Sequence, residues 1–133
     1  MPRVAYCDHS GENAAKNFII VLENRGNQAT HIYLEDPVQA YNELVVFRPN
    51  KVVIDLFFEK KDEGKDCRNW WGCRIIDQIK NGNMQNDVDI WILSKYLSKE
   101  VKKALESNYG ILEDHLVAAK VVTWKQIAER IGA

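Results

Sequence analysis

A short apolar run interrupted by a carboxylate constrains this chain most. The run covers residues 51–58 (KVVIDLFF) and follows a break at Pro49-Asn50. Its β-branched and aromatic residues predict a strand buried on both faces, as in the middle of a parallel sheet. Asp55 then stands where the strand ends, and ligands of open α/β sheets bind beyond the C-terminal ends of the strands. The alternative is that Asp55 only caps a turn, as aspartate often does.

The rest of the chain repeats the order of a strand followed by a helix. Apolar strands are predicted at 3–7, 30–34, 51–58, 88–93 and 116–119. Helix starts are indicated by Asp36-Pro37, by Ser98 and by the capping box of Thr123 with Gln126. We therefore expect an α/β fold, a (βα)5 doubly wound five-stranded parallel sheet with right-handed crossovers.

Composition limits the chain to one domain and excludes some classes of partner. With 133 residues, of which 46% are hydrophobic, we expect a single domain over 1–133. The net charge of -1 supplies no electrostatic case for binding nucleic acid, which usually requires a clustered basic face. No apolar run has the length of a membrane span, and none resembles a signal peptide, so we expect a cytoplasmic location. Cys7, Cys67 and Cys73 lack zinc-like spacing and are expected to be reduced thiols.

A charged segment follows the central strand. Residues 59–69 are dense in charge and have no apolar periodicity, and Trp70 and Trp71 close them. We expect a charged loop insertion at about 59–71, lying outside the core, in which the tryptophans anchor the loop by packing. The alternative is that exposed tryptophans form a contact surface there.

Polar residues stand at the ends of four predicted strands. They are Asp8, Asp55, Ser94 and Lys120. In a parallel sheet these ends converge on one edge. Two carboxylates can hold Mg²⁺, which prefers oxygen ligands, while a lysine and a hydroxyl can hold an anion. This combination suits phosphoryl transfer with a carboxylate as the nucleophile.

With these residues in this order, the sequence resembles the receiver domain of two-component response regulators over nearly its whole length. The resemblance implies the flavodoxin-like receiver topology and a signalling domain, not an enzyme beyond self-catalysed phosphoryl transfer. It implies that Asp55 accepts a phosphoryl group from a histidine kinase or a phosphotransfer protein, while Ser94 and Lys120 contact that group. It also implies a Mg²⁺ site formed by Asp8, Asp55 and the backbone carbonyl of Phe57.

The sequence departs from the family pattern at several positions. His9 replaces the second acid after the first strand, and imidazole is a softer ligand, so weaker Mg²⁺ binding is expected. Glu59 stands where a proline is usual, and Val121 follows Lys120 where the family has proline. Val117 occupies the position of the usual aromatic switch residue. An alternative function is therefore a phosphorylation-independent pseudo-receiver that acts as a protein-interaction module.

A third hypothesis is a small flavodoxin-like enzyme or nucleotide binder. The loop at 8–13 lacks the glycine-rich and hydroxyl-rich character that wraps a phosphate group, which argues against it. The expected partners are thus a kinase or phosphotransfer protein and an output protein or domain that the sequence does not identify, without nucleic acid or membrane. The sequence leaves a homodimer open.

Overall fold

Five strands alternate with five helices in the computed structural model, which describes residues 1–9, 12–56, 71–82, 88–95, 97–118 and 122–133. The strands are β1 (Arg3–Asp8), β2 (Gln28–Tyr33), β3 (Lys51–Asp55), β4 (Asp89–Ser94) and β5 (Leu116–Ala118). The helices are α1 (Glu12–Asn24), α2 (Pro37–Phe47), α3 (Trp71–Asn81), α4 (Lys99–Tyr109) and α5 (Trp124–Arg130). None of these helices is both long and apolar enough to span a membrane.

The strands form one parallel sheet in the order β2-β1-β3-β4-β5. Helices α1 and α5 cover one face and contact each other, while α2, α3 and α4 cover the other face. This arrangement confirms the predicted doubly wound α/β fold. The strand order reverses between β1 and β3, and ligands of such sheets bind beside that reversal.

Side-chain caps fix where the helices begin. The Asp36 carboxylate accepts hydrogen bonds from the backbone of Val38 at 3.0 Å and of Gln39 at 3.4 Å, and Pro37 follows as the first helical residue. The Ser98 hydroxyl accepts from the backbone of Val101 at 3.2 Å and starts α4. All of these contacts satisfy backbone groups that a helix end would leave unpaired, and they confirm the predicted helix starts.

The central strand β3 is buried on both faces, as its composition predicts. Val53 packs into the core on the α1–α5 side, whereas Val52 and Ile54 pack into the core on the other side. Gly72 lets α3 approach the end of this strand, because a Cβ atom there would lie 2.3 Å from Leu56 Cδ2. The predicted insertion lies outside the described residues except for Trp71, where α3 begins.

Candidate functional site

Asp8 and Asp55 lie next to each other at the C-terminal edge of the sheet. Cys7 and Ile54 are paired in register between β1 and β3, and each aspartate is the next residue of its strand. Both side chains follow the alternation of their strands onto the face covered by α1 and α5. Asp8 is fully buried, whereas Asp55 is partly exposed. The two carboxylates therefore lie side by side at this edge of the sheet, and Asp55 is the more accessible of the two to solvent.

Ser94 ends the neighbouring strand β4 at the same edge. Its hydroxyl donates to the backbone carbonyl of Leu56 at 3.1 Å, and Leu56 follows Asp55 directly. Ser94 is fully buried. Val117, in register with Leu93, is buried in the core on the α1–α5 side. Lys120 and Phe57, the other predicted site residues, lie outside the described residues.

Tyr6 belongs to the site although its sequence context predicts only a core position. Its hydroxyl donates to Asp55 Oδ2 at 3.3 Å. Burial, and then the negative charges of Asp55 and Asp8, hold the pKa of Tyr6 above its usual range, so the phenol keeps its proton. Its ring packs edge-on against Phe18, with ring centroids 5.0 Å apart, and against Trp124 at 5.8 Å. This packing fixes the direction from which the hydroxyl meets Asp55.

His31 is the second site residue that the sequence does not indicate. It lies on the edge strand β2 in register with Tyr6, and its Nε2 atom contacts Asp8 Oδ1. A carboxylate only accepts hydrogen bonds, so the imidazole is the donor in this contact. The side chain of His31 is 17% exposed and that of Asp8 is 0% exposed. A buried carboxylate without a cation is costly, and His31 supplies a partner for it.

The environment of Asp55 alters its ionisation. Burial, with the nearby charge of Asp8 as the second cause, raises the pKa of Asp55 to about 6, and the hydrogen bond from Tyr6 opposes this shift. An acid with this pKa is mostly but not wholly ionised near neutral pH. A cation bound between Asp8 and Asp55 would favour the ionised form.

The described donors fit Mg²⁺ in kind but form an incomplete set. Asp8 and Asp55 offer the carboxylate oxygens that Mg²⁺ prefers. Within the described ranges, no group of three or more histidine, cysteine and acidic side chains is placed to hold a metal ion. His9, the residue after Asp8, is partly buried, and burial lowers its pKa despite the opposing charge of Asp8. The resemblance to receiver domains predicts a second acid at this position, so a carboxylate there is expected to strengthen the site.

His9→Asp is expected to tighten Mg²⁺ binding about tenfold, which corresponds to about 1.4 kcal/mol. The substitution adds a hard oxygen ligand and a negative charge beside Asp8 and Asp55. Calorimetric titration with Mg²⁺ measures the change. Asn108→Asp is the control, because it adds the same charge at the C-terminal end of α4, by the opposite edge of the sheet. Equal affinities in wild type and His9→Asp would place His9 away from the metal.

The fold is that of known receiver domains. No protein-family model matches the chain, and no curated protein matches it. Among solved structures, chemotaxis protein CheY4 of Vibrio cholerae is 14% identical with a TM-score of 0.75, over 99% of this chain and 97% of that chain. A response regulator from Desulfuromonas acetoxidans is 14% identical with a TM-score of 0.69, over 99% and 94%. A CheY-like receiver domain from Methylobacillus flagellatus is 18% identical with a TM-score of 0.64, over 98% and 99%. The chain therefore has the CheY-like receiver fold.

Proposed function

We propose that this chain is a signalling receiver that accepts a phosphoryl group on Asp55 from a histidine kinase or a phosphotransfer protein. The observation that carries the proposal is the placement of Asp55 beside Asp8, with the Ser94 hydroxyl at the end of the next strand. These groups occupy the edge at which a doubly wound sheet binds its ligands. The CheY-like fold supports the same function. A kinase partner of this kind implies a cytoplasmic chain.

In the proposed reaction, a carboxylate oxygen of Asp55 attacks the phosphorus atom of the donor. An O–P bond forms, the bond from phosphorus to the donor's leaving group breaks, and a phosphohistidine donor's imidazole takes up a proton as it leaves. The attacking carboxylate must be ionised, and a pKa of about 6 leaves it mostly so at neutral pH. Tyr6 keeps one oxygen of Asp55 oriented by donating to it.

The other residues of the edge would hold the transferred group. The Ser94 hydroxyl lies one residue beyond Asp55 across the strands and can donate to a phosphoryl oxygen after leaving the Leu56 carbonyl. Lys120 is proposed as the cation that neutralises the phosphoryl charge. Mg²⁺, held by Asp8, Asp55 and the Phe57 carbonyl, would supply further charge neutralisation. Self-catalysed transfer is the only reaction proposed, and no output partner or homodimer is assigned.

A pseudo-receiver remains the second candidate, and specific contacts favour it. His31 already engages Asp8, and Tyr6 already engages Asp55, so the acidic pair is stabilised by the protein itself. A chain that keeps this arrangement permanently would present the receiver fold to a protein partner without phosphate. The two candidates differ in whether Asp55 reacts.

Beryllofluoride binding separates the two candidates. This phosphoryl mimic attaches to the carboxylate of a competent receiver in the presence of Mg²⁺ and is seen as a bound ¹⁹F signal. We expect that signal in wild type and in Asp77→Asn, a matched change of an exposed carboxylate on α3. We expect none in Asp55→Asn. A wild-type protein without bound signal, at Mg²⁺ concentrations that saturate the wild-type site, would favour the pseudo-receiver.

A further inference from the structure

We infer that His31 is a built-in competitor of the divalent cation at Asp8, so that the metal must displace an imidazole of the protein before it binds. The inference deepens the proposed function, since it concerns regulation of the same acidic site. A residue of the edge strand β2 would then set the Mg²⁺ concentration at which the acidic site becomes occupied. It rests on the position of His31 and on the burial of Asp8.

His31 reaches Asp8 from the neighbouring edge strand of the sheet. His31 and Tyr6 are paired in register, and their ring centroids lie 6.0 Å apart with the rings tilted by 35°. From this position the Nε2 atom reaches forward along the strands to Asp8 Oδ1. Asp8 itself is fully buried, so the imidazole approaches its oxygen from the more open side of the sheet.

Competition follows from what a buried carboxylate requires. Removing a partner of a buried charge is unfavourable, so the His31 contact stabilises the metal-free site. The imidazolium and the neutral tautomer with its proton on Nε2 both donate to Asp8, so the competition does not depend on a change in the charge of His31. Mg²⁺ at Oδ1 would withdraw electron density from that oxygen and repel the hydrogen of the N–H group, so the metal contact and the His31 contact at this oxygen oppose each other.

The side chain of His31 has space to leave. It lies on the same face of the sheet as Tyr6, the face covered by α1 and α5. On this face the residue lines a groove of about 570 Å³, with Lys16 and Ile20 of α1. The ring can therefore turn away from Asp8 into this groove without displacing core residues. The contact is therefore reversible, as a competitor requires.

Calorimetric Mg²⁺ titration of His31→Phe tests the inference. Phenylalanine keeps an aromatic ring and a high strand propensity but removes the N–H donor. We expect Mg²⁺ to bind about tenfold more tightly than to wild type, as loss of a charge-assisted hydrogen bond would give. Tyr33→Phe is the matched control, because it removes a polar group from an exposed ring on the same strand. Its Mg²⁺ affinity should equal that of wild type.

A second measurement uses the unmodified protein and does not depend on how the variant folds. The ¹⁵N chemical shift of His31 Nε2 should change as Mg²⁺ saturates the wild-type site, because the contact with Asp8 breaks. An unchanged His31 signal at saturation, or equal Mg²⁺ affinities in wild type and His31→Phe, would overturn the inference. Failure of both proteins to bind Mg²⁺ would also overturn it, since His31 would not be what keeps the cation away.

These outcomes are separable from those of the proposed function. Beryllofluoride binding at Asp55 with equal Mg²⁺ affinities would support the receiver function and refute the role of His31. Tighter Mg²⁺ binding in His31→Phe without beryllofluoride binding would support the role of His31 and refute phosphoryl acceptance.

Discussion

Asp55→Asn is expected to stabilise the folded protein at pH 8 by about 3 kcal/mol in the absence of Mg²⁺, from a pKa shift of about two units. In wild type, burial and the charge of Asp8 raise the pKa of Asp55 from 3.8 to about 6. Asparagine carries no charge, yet its side-chain oxygen can still accept the hydrogen bond from Tyr6. The variant thus keeps the shape of the site and removes both the buried charge and its repulsion with Asp8.

The sign of the pH dependence follows from the same shift. Because the pKa of Asp55 is higher in the folded state, the folded protein binds more protons between pH 3.8 and about 6. The free energy of unfolding therefore falls as the pH rises through this window, and the loss is complete above the folded pKa. The free energy of unfolding of Asp55→Asn should not decrease in this way, because asparagine does not titrate.

Urea unfolding of wild type and Asp55→Asn over a pH series, with a metal chelator present, measures the difference. Asp77→Asn is the control, since Asp77 is exposed on α3 and its change should leave the wild-type pH profile intact. If the free energies of unfolding of wild type and Asp55→Asn changed with pH in the same way, burial and the charge of Asp8 would not raise the pKa of Asp55.

Phe18→Ala is expected to cost about 3–5 kcal/mol of stability, as truncation of a buried phenylalanine usually does. Phe18 is fully buried and lies between two aromatic rings. Its ring stacks on Trp124 of α5 with centroids 4.8 Å apart and meets Tyr6 of β1 edge-on at 5.0 Å. One side chain thus joins two helices to the strand that carries Asp8.

The control for Phe18→Ala is Ile20→Ala on the same helix. Ile20 is 45% exposed, so its truncation should cost within about 0.5 kcal/mol. Phe18→Ala should also loosen Tyr6 and weaken its hydrogen bond to Asp55, which would raise the pKa of Asp55 further. Thermal unfolding compares the two variants, and equal losses of stability would contradict the role given to the aromatic cluster.

The fold was predictable because its signals are local in the sequence. The β-branched run before Asp55 predicts a strand buried on both faces, and the caps at Asp36, Ser98 and Thr123 predict helix starts within a few residues. Alternating strands and helices then leave few topologies. The positions of Asp8, Asp55 and Ser94 at one edge follow from the same logic, because all three end parallel strands.

The contacts of Tyr6 and His31 were not predictable in this way. Tyr6 lies in an apolar strand and has the pattern of a core residue, so nothing in the sequence indicates that its hydroxyl contacts Asp55. His31 lies on a strand that alternates as an exposed one, and its contact depends on the register between β1 and β2. Register between strands more than twenty residues apart is set by packing, which a single sequence does not report. The only hint is that Tyr6 and Asp8 are two residues apart and share a face.

The central claim is that Asp55 is the residue that takes up the phosphoryl group. The most direct measurement is incubation with a small-molecule phosphodonor and Mg²⁺, reduction of the acyl phosphate with borohydride, and peptide mapping by mass spectrometry. The expected result is a single reduced site at position 55 in wild type, and no reduced site in Asp55→Asn. A reduced site at any other residue, or none in wild type at Mg²⁺ concentrations that saturate the acidic site, would contradict the claim.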